Sequence, residues 1–323
     1  MRPAATIFMP SFNAGPMLCE SLQGFAEQNV SLRTVVVDNG SSDGSVQVAK
    51  REFPEVEVVE LASNHGFGPA LNEAVRRHPA ERLVFVNNDV NPEPDFVGAL
   101  LDELGRSPAS VAGVLLTQDD PRFIDSAGVV VESTLLAFDY LHGLPALAAE
   151  TADAPLGPTG AAALVPLSAF EAVGGFDERM FAYLEDVDLA LRLRASGVLC
   201  RLAPAARAVH RHSATLGSGS PAKNRLMGWS RGYMLRRYGV LRSPRRAARA
   251  LAAEAAICLG QAVIDRTFTG WTGRVCGWRA ARDFSRLPIP DGVAIEMSLL
   301  EALRLRAARR THGSGYARAS KRR

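Results

Sequence analysis

Arg33-Thr-Val-Val-Val-Asp38-Asn-Gly-Ser-Ser-Asp43-Gly-Ser45 is the stretch from which the rest of the chain can be read. Its β-branched run suits a buried strand. The run stops on a carboxylate, and the Gly and Ser residues that follow make a tight turn into a helix over Ser45 to Glu52. The same unit recurs on both sides. Thr6 to Met9 precedes a helical Pro16 to Gln28, Val56 to Leu61 precedes Gly68 to Arg77, and Leu83 to Val86 begins another round. This alternation predicts an α/β fold with a mostly parallel, Rossmann-like sheet covered by helices. Each strand is followed by polar residues: Ser11 and Asn13, Asp38 and Asn39, Asn64, then Asn87, Asn88 and Asp89. Ligands of open α/β sheets bind outside the carboxyl ends of the strands, so these four clusters are expected to converge on one.

Further along, Val111 to Leu116, Gly128 to Val131, Ala161 to Val165 and Ala206 to Val209 read as strands. A helix is expected over Pro92 to Leu101, with Asp95 as a cap. Ser133 to Pro158 reads as a variable loop facing an acceptor. Ser168-Ala-Phe-Glu171 has capping-box spacing, opening a short helix that Gly174 and Gly175 close. Another helix spans Glu185 to Ser196, with Gly197 as its stop. After Ser243-Pro244 the composition turns to Ala, Arg and Leu at helical spacing, as in Ala247, Leu251, Ala255 and Leu259. The expected organisation is a main domain over 1–240, a helical region over 241–310 and a frayed basic tail over 311–323.

The 323 residues are 47% apolar and 22% charged, as in ordinary globular proteins. The net charge of +3 hides an asymmetry. Arg231 to Arg249 holds seven arginines and no acid, and Ala302 to Arg323 holds eight basic residues and no acid. Such helices suit peripheral contact with an anionic membrane, or they present a solvated face. Phe268, Trp271 and Trp278 would meet such an interface or pack a helical hairpin. Charge alone would permit nucleic-acid binding, but no base-reading motif accompanies the arginines, so none is expected. The four cysteines are far apart without CxxC spacing, which argues against a zinc site or disulfide scaffold. A cytoplasmic location fits, peripheral at the inner face of the membrane if the basic helices bind it. The first apolar run, Ala4 to Met9, leads straight into a Pro10-Ser-Phe-Asn13 turn, so no signal peptide is expected. The longest uncharged stretch, Ala154 to Phe170, carries three prolines and two glycines and makes a poor membrane span.

Three motifs carry chemistry. Asp38 at a buried strand end can accept hydrogen bonds from a base or ribose, although the same residues would serve a plain Asx turn. In Val84-Phe-Val-Asn-Asn-Asp89, one carboxylate follows an apolar strand, the natural ligand for Mg²⁺ or Mn²⁺ bound together with substrate phosphates. The plainer alternative is a turn. Glu185, Asp186 and Asp188 crowd a helix start behind Phe181 and Tyr183. The helix dipole favours acids there by about 0.3–1 kcal/mol each, but three within four residues exceed what capping needs. A partly desolvated member would have a raised pKa and could take a proton from a hydroxyl. His210 and His212 follow a strand, where either could be structural or approach a metal.

Together, Thr6 to Gln28, Val35 to Ser45, Asn64 to Asn72, Leu83 to Asp95 and Gly160 to Gly197 resemble family 2 glycosyltransferases of the GT-A fold. Gly174-Gly-Phe-Asp-Glu178 followed by Tyr183-Leu-Glu-Asp-Val-Asp-Leu189 is most similar to bacterial rhamnosyltransferase-type members. The resemblance spans about residues 4 to 240. It implies an inverting, metal-dependent transfer of a sugar from a nucleotide-diphosphate donor, dTDP-rhamnose or a UDP-sugar, to a hydroxyl of a glycan, glycolipid or metabolite. Cell-envelope polysaccharide is the family expectation for the product, and a homodimer is among the expected states. Pro10, Ser11, Asn13, Asp38 and Asn64 would surround the nucleoside. Asn39, Gly66, Asn72, Asn88 and Asp188 would complete the donor site, and Asp89 with His210 would hold the cation. Asp186 would be the base, with Glu185 supporting it. Where many relatives have DxD this chain reads Asn87-Asn88-Asp89, so metal dependence would be weaker. Three other classes of protein would differ at these motifs. A degenerate nucleotide- or glycan-binding module would be favoured by the lost acid and disfavoured by the intact Glu185-Asp186-Val-Asp188. A nucleotidyltransferase would open with a Gly-rich basic loop, and a dinucleotide oxidoreductase with GxGxxG. Pro10-Ser-Phe-Asn13 has neither.

Overall fold

The computed structural model describes residues 2–105, 109–211 and 219–308; His212 and the 311–323 tail lie outside them. Four parallel strands form one half of the main sheet: β1 (Ala5–Ser11), β2 (Leu32–Asp38), β3 (Glu57–Glu60) and β4 (Arg82–Val86). Between them run α1 (Met17–Ala26), α2 (Ser45–Glu52) and α3 (Phe67–Arg77). The expected alternation holds here. Val35, Val36 and Val37 are fully buried because both faces of this half are covered, which is why the strands read as continuous apolar runs.

The second half is mixed. It contains β5 (Val90–Pro92), β6 (Ala109–Thr117), β7 (Ile124–Ser126), β10 (Ala162–Pro166) and β11 (Leu199–His210). The order among the described residues is β3-β2-β1-β4-β10-β6-β11-β5, with β7 on β6. β10 runs antiparallel between β4 and β6, so the sheet is less parallel than the first half of the sequence implies. A smaller sheet joins β8 (Val129–Glu132), β9 (Ala137–Asp139) and β12 (Ala294–Ile295).

Three local expectations are corrected. Pro92 does not begin a helix: Val90–Pro92 pairs antiparallel with β11, and α4 (Phe96–Leu104) starts after Asp95. The prolines at 92 and 94 hold this segment extended. Ser168 is not a cap, because α5 (Leu167–Ala172) already begins at Leu167, although Gly174 and Gly175 do close it with positive φ of 77° and 69°. The Ser133 to Pro158 stretch is packed rather than open. It contains β9 and a 3-10 turn at Ala146–Thr151, and it buries Leu135, Leu136, Phe138, Leu141 and Leu156.

Beyond α6 (Glu185–Ala195) the chain forms α7 (Pro221–Arg237), α8 (Pro244–Ile264), α9 (Thr269–Ala280) and α10 (Leu299–Ala308). α7 and α9 meet backbone to backbone through glycines on either side of residue 240. A Cβ on Gly232 would fall on the Arg274 carbonyl oxygen, and one on Gly277 on that of Trp229. Several of the arginines are internal ties. Arg231 is buried and pairs with Glu254 at 2.5 Å while donating to the Thr134 and Leu135 carbonyls, Arg274 pairs with the other Glu254 oxygen, and Arg249 pairs with Glu132.

Candidate active site

The carboxyl ends of the parallel strands lie at one edge, and their loops are stitched together. The Asn39 amide N–H donates to the Ser11 carbonyl at 2.8 Å, so the loops after β1 and β2 run side by side. Asn13, at a positive φ of 49°, accepts from Ser42 N at 2.8 Å, and its own N–H donates to Ser41 Oγ. Asp38 accepts from Ser41 N at 2.8 Å, the Asx turn that its sequence allowed. Asn39 is buried and reaches the third loop, accepting from His65 N and donating to the Gly66 carbonyl. Asn64 accepts from Gly66 N. Pro10 and Ser11 close β1, and Asn88 donates to Ser11 Oγ at 3.3 Å, which joins the fourth cluster to the first. The structure therefore brings Pro10, Ser11, Asn13, Asp38, Asn39, Asn64, Gly66 and Asn88 together.

Gly66 is required by close approach. Its φ is 93°, and a Cβ there would fall on the Phe181 carbonyl oxygen, which accepts from Phe67 N at 2.8 Å. This contact carries the strand-end loops over to the acidic segment. On its other side that segment is held by α7, where Ser230 Oγ donates to the Ala182 carbonyl. Between these supports Tyr183 and Leu184 both take left-handed conformations, φ 68° and 65°. A non-glycine residue there costs roughly 1–3 kcal/mol, and such strain persists where surrounding contacts impose it. It delivers Glu185 and Asp186 into the first turn of α6.

Asp186 accepts from Val187 N at 2.8 Å and, on its other oxygen, from Gly160 N at 3.2 Å and Thr159 Oγ1 at 3.4 Å. Ala162, just beyond that Gly160 amide, pairs across the sheet with Val86, the last residue of β4 before Asn87-Asn88-Asp89. Asp186 thus sits beside the end of β4. Glu185 is buried, and its Oε2 has no hydrogen-bond partner. Burial raises the pKa of both acids. At Glu185 the neighbouring Asp186 charge adds to this, whereas at Asp186 the Gly160 and Val187 amides work against it.

Two of the expected site residues are instead committed to protein partners. Asp188 is 1% exposed; Arg192 binds one of its oxygens and Tyr238 Oη donates to the other at 2.8 Å. Arg192 also donates to the Val173 and Gly175 carbonyls, so Asp188 anchors the Gly174-Gly175 turn against α6. The Asn72 amide accepts from Phe176 N and donates to Phe176 O, both at 2.9 Å. Each side-chain polar atom of Asp188 and Asn72 thus has a protein partner, which ties both residues to the fold around the site.

Asp89 and His210 meet because β5 pairs with β11, Val90 opposite His210. His210 Nε2 lies 3.3 Å from Asp89 Oδ1, and its Nδ1 lies 2.7 Å from Asp125 Oδ2. Burial opposes charge on His210, but its pairing with Asp125 and Asp89 outweighs this and holds the pKa up at about 10. Asp89 Oδ1 is buried, and beyond this ion pair it has no hydrogen-bond partner. A buried carboxylate oxygen facing an imidazole nitrogen fits a divalent cation, which would take the place of the proton on Nε2, with Asp125 orienting the ring as carboxylates do for metal-bound histidines. Among the described residues no group of three or more His, Cys, Asp or Glu is placed to hold a metal ion by itself, so a cation here would draw its further ligands from substrate phosphates or water. Asp125 escapes a reading of motifs. Its sequence signal is a lone acid in the otherwise apolar or small Ile124 to Val131 run, where it is buried to 4% exposure.

Comparison with known proteins agrees with this architecture. The model of Glycosyl transferase family 2 matches residues 6–137. The N-acetylglucosaminyl-diphospho-decaprenol L-rhamnosyltransferase of Mycobacterium tuberculosis is 32% identical over 244 residues, covering 66% of this chain and 78% of that one. Rhamnosyltransferase WbbL of Escherichia coli is 47% identical over 51 residues, 16% of this chain and 19% of its own. Among solved structures, the mannosyltransferase PcManGT from Pyrobaculum calidifontis, in complex with GDP-Man and Mn²⁺, aligns with a TM-score of 0.54 at 22% identity, over 88% of this chain and 77% of that one. GalNAc-T7 with UDP, GalNAc and Mn²⁺ aligns with a TM-score of 0.58 at 10% identity, over 88% and 55%. The chain belongs to glycosyltransferase family 2. It is a rhamnosyltransferase-like glycosyltransferase of the GT-A fold.

Proposed function

We propose that the protein is an inverting transferase that moves a sugar, rhamnose from dTDP-rhamnose or a hexose from a UDP-sugar, onto a hydroxyl of a glycan, glycolipid or metabolite. The observation that carries this is Asp186, a carboxylate fixed by Gly160, Thr159 and Val187 beside the end of β4, with its pKa raised by burial. A base at this place takes the acceptor O–H proton as the acceptor oxygen bonds to the anomeric carbon. The bond from that carbon to the diphosphate breaks, and its electron pair leaves with the nucleotide, so the anomeric configuration inverts. Glu185 supports Asp186, and their mutual repulsion favours proton uptake by the pair.

Pro10, Ser11, Asn13, Asp38, Asn39, Asn64 and Gly66 form the proposed nucleoside wall, and Asn88 lies toward the diphosphate. Asp89 and His210 would hold Mg²⁺ or Mn²⁺, which offsets negative charge on the leaving diphosphate. Asn72, Asp188 and Asp125 act as positioning residues. A lipid-linked acceptor is supported by the diphospho-decaprenol acceptor in the name of the mycobacterial relative.

The test is incubation with each nucleotide sugar, Mn²⁺ and a polyprenyl-diphospho-N-acetylglucosamine acceptor, followed by NMR of the product. The expected product carries the anomeric configuration opposite to that of the donor. Retention would overturn the mechanism, and absence of transfer from every donor to lipid, glycan and small acceptors would overturn the transferase reading.

A further inference from the structure

α8 has two faces. Ala250, Ala253, Glu254 and Gln261 are buried against the protein, whereas Leu251, Leu259, Val263 and Ile264 are 59%, 66%, 69% and 68% exposed. Leu251, Ala255, Leu259 and Val263 recur every four residues and lie on one side. The outward side continues into Phe268 and Trp271, 74% and 55% exposed. By length and composition α8 could cross a membrane, although Arg249 and Glu254 interrupt its apolar run. Only 22% of its most apolar window is buried, so the apolar composition is not that of a core helix.

Charge accompanies this face. Arg245, Arg246 and Arg266 are exposed on and beside it, while the sole acid of α8 is the buried Glu254 and α9 has none. Arginines in the first turn of a helix oppose its dipole, so Arg245 and Arg246 are not there to stabilise α8. An exposed apolar stripe ending in Phe and Trp, flanked by exposed cations while the nearby acids Glu254 and Asp265 are tied to Arg231, Arg274 and Asn224, matches the headgroup boundary of an anionic bilayer.

We propose that α8 and the start of α9 dock on an anionic lipid surface, with α8 lying in the plane of the headgroups. Spanning the bilayer would tear Glu254 from Arg231 and Arg274, whose pairing fixes the inner face of α8. A second copy is the less suited occupant. A two-fold contact pairs the same patch with itself, and its acids Glu254 and Asp265 are already held by Arg231, Arg274 and Asn224.

The apolar end of this face adjoins the acidic loop through α7. Asn224 donates to Asp265 at 2.8 Å, Gln261 to Asn224 at 3.0 Å and Thr269 to the Pro221 carbonyl at 2.8 Å, while Lys223 Nζ lies 5.5 Å from the Tyr183 ring. On the proposed glycolipid acceptor, a step that rests on the transferase reading, docking presents the site to acceptors held in the same bilayer.

The test uses the full chain without donor, sedimented with vesicles of phosphatidylcholine alone or mixed with phosphatidylglycerol. Pelleting is expected with the anionic vesicles, together with a blue shift of tryptophan emission. Arg245→Glu should weaken the binding by about fivefold or more and salt should weaken it further. Leu259→Glu with Val263→Glu should abolish it while leaving thermal stability and nucleotide-induced stabilisation unchanged. A wild-type protein that stays in solution with every vesicle overturns the proposal, and a dimer dissolved by the Leu259→Glu, Val263→Glu variant assigns the face to a second copy instead. Nucleotide stabilisation is read separately, so a wild-type protein that binds no vesicle yet is stabilised by a nucleotide overturns the lipid surface and leaves the transferase reading standing.

Discussion

Two buried glutamates in this molecule have opposite surroundings. Glu254 lies between Arg231 and Arg274; burial alone would raise its pKa, but the two guanidiniums outweigh it and push the value down to about 2. Glu185 is equally buried, has an oxygen without a partner and neighbours two more acids, and its pKa is driven up. Both charges would be costly to bury alone. The helical region surrounds its charge with partners, and the strained loop before α6 withholds them. A fully paired buried charge specifies packing, whereas an unpaired one beside a second acid, held by left-handed Tyr183 and Leu184, is suited to proton chemistry.

Asp186→Asn should break the contrast most severely on the activity side. Turnover should fall by about 10²–10⁴-fold, with nucleotide binding and melting temperature close to wild type, as measured by product formation and thermal shift. Near wild-type turnover would remove Asp186 from the base role. In the wild type the rate should fall on the acid side at a higher pH than an ordinary aspartate would give, because the base must be deprotonated and burial raises its pKa.

Glu254→Ala should act on stability rather than chemistry. It leaves Arg231 and Arg274 buried without their partner, at a cost of about 3–5 kcal/mol in urea unfolding. The two glutamates also give opposite pH signatures. The contribution of Glu254 is complete above the ordinary glutamate value of 4.5 and is lost as pH falls toward about 2, because its folded pKa is depressed. Glu185 binds its proton more tightly in the folded state, so it costs stability as pH rises from 4.5 through its raised pKa. Glu185→Gln should make the second limb shallower, with Asp186 and His210 contributing the remainder in the same sense, and leave the first; a flat neutral-pH stability curve in the wild type would contradict the raised pKa values.

A smaller effect is expected at the metal pair. Asp125→Asn should weaken apparent Mn²⁺ affinity by about 10- to 100-fold, read from the metal dependence of nucleotide-induced stabilisation, with metal-free nucleotide binding unchanged. Unaltered metal dependence would make Asp125 a packing residue.

Much of this contrast was legible in the sequence on one side only. The parallel half of the sheet follows from local periodicity, since each strand, turn and helix is encoded within some thirty residues. The convergence of Ser11, Asp38, Asn64 and Asp89 follows from that topology. The acidic cluster at 185–188 announced itself by composition, but composition could not divide the labour within it. Asp188 is two residues from Asp186 and faces the other way, into Arg192 and Tyr238. Asn72 was likewise claimed by a partner 104 residues away, Phe176. The Arg231–Glu254–Arg274 cluster was hidden for the same reason: the run of arginines reads as a basic surface until tertiary contacts turn several of them inward. The antiparallel β10 and the β5–β11 pair, which brings His210 to Asp89, are long-range pairings with no local signal.

The most direct test is thermal stabilisation of the folded protein by dTDP, UDP and GDP, each with and without Mn²⁺, for wild type and Asp89→Asn. A ligand that binds the native state raises its stability by mass action. One nucleoside diphosphate should raise the melting temperature, Mn²⁺ should enlarge that rise, and Asp89→Asn should remove the enlargement. A folded wild-type protein that none of the three nucleotides stabilises, with or without metal, would contradict the account.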